Sequence, residues 1–573
     1  MNHAATSLLD LSDGTIGVLK RVAVGLSVVA VAIFLAARRF GWFDYRPGGA
    51  SFDAYISPSF AGLFVVAVFL ALRWEIVGSA AAAFAAAGLV AFASNQLIAT
   101  HAVLVVALFA VPGAIWLIVA VSELSRAAAL VGVGAVAAMT LVGFLAGSAI
   151  YDQFWGPTHP SSQVPTLADS PIEWVWSGAV TTSAAEVRAH PTGGYESVRL
   201  AVSAGADLSE PTWVEPIDES GRVVGFRIDG LDADTTHHYA VEVDGVLDRI
   251  QAGSFATFPE GASSYTIAVG ACARNGSNGA VFDEIRDIDP LLYMIVGDFH
   301  YGDVGENNVD RYREVMDLTL SQPAQSALYR DTPVAYVWDD HDYGPNDADG
   351  NSFSRQAAMA SYREHVPSYE LAGPESAVYQ AFTIGRVRYV LTDARSARNV
   401  DGEPGRLSML GAEQKAWFKD EIVDAARQHE LVVWVNPVPW VADARPGADT
   451  WGGFADERRE LADHIADNEI DNLLMVSGDA HMVAIDDGTN TDYSTDGYPG
   501  FPLLHSAALD RPGGVKGGPY SEGAVGGGGQ FATIEISDDG DAITVGLTGR
   551  TWNDQELMSY EFSTAERQEA TGE

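Results

Sequence analysis

A chain of 573 residues has room for several domains with sizeable cores, and its 76 acidic against 34 basic residues leave a net charge of −42. That excess repels nucleic acid and excludes a broad polyanion-binding groove. The single cysteine, Cys272, excludes an intramolecular disulfide and leaves only the roles of ligand, nucleophile or core residue.

Charge is spread unevenly along the chain. Residues 1–156 are balanced and hold long apolar runs near 17–37, 58–73, 76–94, 101–121 and 127–150. A bilayer core takes about 20 apolar residues per helix, so this stretch reads as a transmembrane helical region of about five spans. The second and third are parted only by "LRWEIVGS". No charge cluster of the kind that marks a transport path stands out within the runs. Lys20, Arg21, Arg73 and Arg126 on one side, against Arg38, Arg39 and Arg46 on the other, place the N-terminus inside. With an odd number of spans the soluble part then lies outside the cell. Nearly all its basic residues are arginines, since the whole chain has four lysines, Lys20, Lys415, Lys419 and Lys516. Such an acidic, lysine-poor surface reads as a halophilic, haloarchaeal type of composition, suited to molar salt that screens self-repulsion.

Residues 157–260 change to short alternating segments, among them "SVRLAVSAG", "VGFRIDGL" and "HHYAVEVDG", with Gly/Asp turns about every ten residues. That spacing predicts a small β-sandwich. His237 and His238 are neighbours on one strand and face opposite ways, which makes them structural rather than co-ligands. From 261 to 573 near-continuous apolar strands alternate with amphipathic helices, the clearest being "GAEQKAWFKDEIVDAARQ". Strands of this kind belong to an α/β core covered on both faces.

Almost every one of these strands runs into a residue able to bind metal or phosphate. "YTIAVGAC" ends at Cys272 and "LLYMIVGD" at Asp298, with Tyr301 three residues on. "PVAYVWDD" ends at Asp339, Asp340 and His341. "VRYVLTDAR" ends at Asp393 and Arg395, "ELVVWVNP" at Asn436, and "NLLMVSGDAH" at Asp479 and His481. Carboxyl ends of strands in open α/β sheets converge on one crevice. Desolvated carboxylates gathered there need cations, and no lysine lies in these motifs. Two metal ions bridged by shared carboxylates would satisfy them, as in sites that hydrolyse phosphate esters.

In these motifs and their order, nearly everything after the membrane region resembles the alkaline phosphatase D family of metallophosphoesterases, the PhoD-like phosphatases. The likeness rests on "AVGACARNGSNGAVFDEI", "IVGDFHYGD", "VWDDHDYGPND", "SRQAAMASYREHVP", "DARSAR", "LGAEQKAWF", "DTWGGFADERRELADHI" and "VSGDAHM". It implies a fibronectin-III-like β-sandwich followed by a metallophosphoesterase α/β sandwich. It also implies a ferric ion on Cys272, Asp298, Tyr301 and His481. Asp298 would bridge to a harder metal, calcium, on Asp340, Asn346 and Asp479. His341 would stand beside the leaving-group oxygen and Arg395 on a phosphate oxygen, while a metal-bound hydroxide attacks phosphorus in line. Two departures stand out. Membrane spans come where the family carries a twin-arginine export signal, and its W-D-G-Y element reads "WGGF", Trp451 to Phe454, with glycine replacing the acid.

The function expected is a multi-pass cell-membrane enzyme with an extracellular catalytic domain that hydrolyses small-molecule or polymer phosphate esters. A second reading is a phosphodiesterase acting on lipid head groups or wall polymers. A third, a catalytically inactive membrane sensor or adhesion protein, would be marked by missing ligands.

Overall fold

The computed structural model describes residues 9, 11–40, 53–94, 99–123, 125–156, 170–220, 222–274, 277, 279–373, 377–402, 406–506, 508–511 and 513–571. Two compact units divide the chain, one made mainly of residues 1–157 and the other of nearly all that follows.

The first unit contains helices Asp13–Phe40, Asp53–Ala71, Glu75–Ser94, Ala99–Glu123 and Arg126–Trp155. Four of them are long and apolar enough to cross a membrane; in Asp53–Ala71 the qualifying stretch, Pro58–Ala71, is too short. Where five spans were expected, four helices qualify by length and composition among the described residues. Small residues let two helices meet backbone to backbone: a Cβ on Gly143 would lie 2.2 Å from the Phe84 carbonyl oxygen, and one on Gly147 2.3 Å from that of Gly88. A charge cluster that the linear pattern hid joins three helices, because Lys20 Nζ lies 3.0 Å from Glu75 and 2.5 Å from Glu123. Of the arginines used for orientation, Arg46 and the side chains of Arg38 and Arg39 lie outside the described residues.

The second unit is built on two large mixed sheets. One has ten strands, with Tyr265–Gly270, Leu292–Val296, Val334–Val337 and Ile172–Gly178 parallel at its centre. The other has seven, with Val387–Leu391, Leu431–Asn436, Leu473–Ser477 and Leu503–Ser506 parallel. Their continuous apolar runs follow from burial on both faces. Leu431, Val433 and Val435 join the core shared with the ten-stranded sheet, while Val432 and Trp434 enter the layer beneath helices Gly411–Gln428 and Ala455–Asp467. Apolar residues at helical spacing, Phe418, Ile422 and Ala425, seat the first of those helices.

Where a β-sandwich was expected, residues 172–256 form strands of two sheets that contribute to one core. The arrangement is not a closed module. Ile172–Gly178 pairs in parallel with Val334–Val337, so its first sheet continues into the ten-stranded one. Buried Trp176 reinforces the join, donating from Nε1 to the His365 carbonyl at 2.8 Å.

Candidate metal centre

The carboxyl ends of the central strands approach so closely that only glycine fits behind the site residues. A Cβ on Gly297 would lie 2.5 Å from that of Asp339, and one on Gly478 would lie 2.1 Å from the Val296 carbonyl oxygen. Beyond them the chain turns sharply, with Cys272, Asp298, Asp479 and His481 all at positive φ, between 49° and 68°. Non-glycine residues take that conformation at a cost of order 1–3 kcal/mol each, and such outliers cluster at functional sites.

These turns bring together side chains up to 209 positions apart. Asp298 Oδ2 accepts from the Tyr301 hydroxyl at 2.7 Å and from the Cys272 thiol at 3.4 Å, and the Tyr301 hydroxyl lies 2.8 Å from His481 Nε2. Cys272, Asp298 and His481 each offer a ligand atom within 4.8 Å of the other two; so do Asp298, Asp340 and His341, and also Asp339, Asp340 and Asp479. Asp298 is common to the first two groups and Asp340 to the last two. All these carboxylates are buried, yet Asp298 Oδ1, Asp340 Oδ1 and Asp479 Oδ2 have no hydrogen-bond partner. Buried oxygens left this way cost free energy unless a cation meets them.

Electrostatics point the same way. Burial pushes the Asp298 carboxyl up to about 8, with the charges of Asp340, Asp342 and Asp479 adding to it against His341. Burial likewise lifts Asp479 to about 6, against the pull of Lys516. It lifts the Cys272 thiol as well. Asp340 goes the other way: burial disfavours its charge, but Arg395, His341 and the Asp347 N–H hold it well below the ordinary carboxylate range. For His341 burial opposes the charge, and the carboxylates of Asp340, Asp298 and Asp303 outweigh it, raising the imidazole to about 10. Carboxyls raised in this way by burial, Asp298 most of all, are suited to exchanging a proton for a metal ion. A thiol, a phenol and an imidazole beside one carboxylate suit a transition metal, and an all-carboxylate group suits a hard cation.

"WDDHD" resolves into separate duties. Asp339 binds the Arg395 Nε–H. Asp340 faces the other carboxylates, and Asp342 accepts the backbone N–H of His300 at 3.0 Å and of Asp339 at 3.2 Å. His341 Nδ1 lies 2.6 Å from the Asp303 carboxylate. Arg395 is fully buried, its guanidinium divided between Asp339 and a bidentate grip on Asp449 at 2.8 and 3.0 Å. Asn346 is exposed; its neighbour Asp347 is the residue that groups with Asp340 and Asp449. Asp393 shapes a turn, accepting N–H bonds from Val378, Arg395 and Ser396.

Three residues reach the site without having been picked out in the sequence: Asp303, Asp449 and Lys516. Asp449 lies just ahead of the altered "WGGF". A Cβ on Gly452 would lie 2.2 Å from the Asp443 carbonyl oxygen, so no acid fits there, and Asp449 three residues earlier supplies the carboxylate that pairs with Arg395 and Arg398.

Residues 271–502 match the sequence model of the PhoD-like phosphatase family. Over that stretch the chain is similar to the PhoD-like phosphatases. Alkaline phosphatase D of Bacillus subtilis (strain 168) is 24% identical over 341 residues, which cover 50% of this chain and 56% of that protein. The chain thus spans little more than half the length of that curated relative. The solved structure of PhoD superimposes with a TM-score of 0.54 at 14% identity, covering 71% of this chain and 92% of that one. Purple acid phosphatase PPD1 from yellow lupin seeds follows at a TM-score of 0.48 and 11% identity, covering 69% and 74%. Over that span the chain and the PhoD structure share their fold.

Proposed function

We propose that the protein is a membrane-anchored, metal-dependent phosphatase or phosphodiesterase that hydrolyses phosphate esters at a two-metal site outside the cell. The observation that carries this reading is the set of buried, unpartnered oxygens on Asp298, Asp340 and Asp479, gathered beside a thiol, a phenol and two imidazoles. Cys272, Asp298, Tyr301 and His481 would hold a ferric ion. Asp298, Asp340 and Asp479, with Asn346 on the adjoining loop, would hold calcium. When bound, such a pair supplies Lewis acidity and an activated water for displacement at phosphorus.

The chain's own groups do the rest. Asp303 holds Nδ1 of His341, which fixes the ring and leaves Nε2 to give its proton to the leaving-group oxygen. Arg395, expected on a phosphate oxygen, has its guanidinium committed to Asp339 and Asp449 and orders the carboxylates around it. Four helices of spanning length support a membrane anchor, and the acidic, lysine-poor composition supports work in concentrated salt. A full set of donors speaks against an inactive sensor.

The test uses the full chain extracted in detergent and kept in concentrated salt. Elemental analysis should find iron and calcium, and chromogenic phosphate esters should be hydrolysed until a chelator is added. A folded chain with neither metal nor turnover would overturn the proposal.

A further inference from the structure

A phosphate ester entering an acid-rich crevice gains from a cationic side chain at its exposed rim, and the arginines nearby are buried. Arg395 is spent on Asp339 and Asp449, while Arg511, also buried, lies over the Tyr301 ring at 4.0 Å. Lys516 is placed differently. Its Nζ lies 3.4 Å from Asp479 Oδ1, with the side chain 51% exposed against 9% for Asp479. We infer that Lys516 is the phosphate-binding residue of this site and the one that favours monoesters over diesters, a reading that rests on the proposed phosphoesterase function.

Backbone geometry fixes where the lysine stands. Gly517 has a φ of +72°, and a Cβ there would lie 2.2 Å from the Val441 carbonyl oxygen. Gly518 donates its N–H to that same carbonyl at 2.9 Å, and the Tyr520 hydroxyl donates to the Lys516 carbonyl at 3.1 Å. The glycine-rich stretch is thus an anchored turn, and the flexible stem of Lys516 alone reaches from it over the crevice. On Asp479 the ammonium takes Oδ1, on the solvent side, and Oδ2 is the buried oxygen without a partner. A metal ion on Oδ2 would neutralise Asp479 and weaken its hold on the ammonium. Lys516 is then poised beside the metal for an incoming phosphate oxygen, where a compact ammonium acts as a point charge with three rotatable donors. A monoester dianion gains more from that charge than a diester monoanion, which gives the residue its role in specificity.

The test compares the full-length wild type with Lys516→Met, which keeps the stem and removes the charge, and with Lys516→Arg. Inorganic phosphate is the probe, its affinity measured by calorimetry on metal-loaded protein and as competitive inhibition. Removing a charge-assisted hydrogen bond should weaken phosphate binding about ten- to hundred-fold. Metal content should stay unchanged, kcat/KM should fall more for a monoester than for a diester, and arginine should restore most of the loss. Unchanged phosphate affinity in Lys516→Met would overturn the inference, as would an equal loss on both ester classes or a loss of metal. A wild type inert toward both ester classes would instead overturn the phosphoesterase reading itself.

Discussion

Asp298 and Asp479 are acids whose environment has turned them against their own charge, and this sets how the centre should answer to mutation and pH. Asp298→Asn or Asp479→Asn should each deplete bound metal and turnover together, as elemental analysis and ester hydrolysis would show. His341→Ala should leave metal content intact and cost kcat about 10²–10⁴-fold, the usual weight of a general acid. The sign of the pH dependence follows from the raised carboxyls. Asp298, lifted by burial to about 8, and Asp479, lifted to about 6, lend the metal-free fold stability that is complete below the ordinary carboxylate range. That stability is lost as pH climbs through those raised values. Chelated protein should therefore melt at a lower temperature at pH 8 than at pH 5, and added metal should raise the midpoint more at pH 8. A flat profile would mean that these carboxyls are not protonated in the metal-free fold. Arg395 tests the opposite logic, a charge that is fully buried and paired. Arg395→Gln strands Asp339 and Asp449 and should cost about 3–5 kcal/mol, read as a fall in thermal midpoint.

Between residue and fold stands a tryptophan cage that positions the arginine's partner. Trp434, on strand Leu431–Asn436, meets Trp440 edge to face at 5.2 Å between ring centroids, and Trp440 meets Trp451 in the same way at 5.2 Å. Trp451 opens the short helical turn Trp451–Phe454 directly after Asp449 and Thr450, so the cage holds the turn that presents Asp449 to Arg395. From the opposite side, Gln414 on helix Gly411–Gln428 accepts the Asp393 N–H and donates to the Asp393 carbonyl, both at 2.7 Å, fixing the loop that carries Arg395. Trp451→Ala should cost about 3–5 kcal/mol and lower activity with it. Restoring an acid by Gly452→Asp should destabilise as well, by about 1–3 kcal/mol of overpacking, since its Cβ has no room against the Asp443 carbonyl. A variant that melts like the wild type would show that the turn can shift aside.

At the scale of the whole molecule the governing quantity is the −42 charge, all of it downstream of residue 156. Self-repulsion of that size is screened within about 3 Å in molar salt and over some 10 Å at a tenth of that. The thermal midpoint should therefore rise steeply between dilute and molar potassium chloride, and a protein equally stable in both would remove the case for halophily. Much of the architecture was legible in the chain because it is written locally. Apolar runs marked the long helices, unbroken Val/Ile/Leu strands marked a sheet buried on both faces, and the residue after each strand marked the crevice. Cys272, Asp298, Tyr301, Asp340, Asp479 and His481 do meet there. Other features depend on pairing between distant segments, which no local pattern records. They include the joining of strand Ile172–Gly178 to the ten-stranded sheet through Val334 and the ion cluster of Lys20 with Glu75 and Glu123. They include too the assignment of Asp339 and Asp342 to anchoring while Asp340 faces the site. By itself the sequence determined which elements form and that their ends carry metal-binding chemistry, since periodicity and residue type are properties of neighbours along the chain. Only the tertiary structure decided which oxygens are left without partners and that Asp303, Asp449 and Lys516 join them, because that depends on register and close approach between residues far apart along the chain.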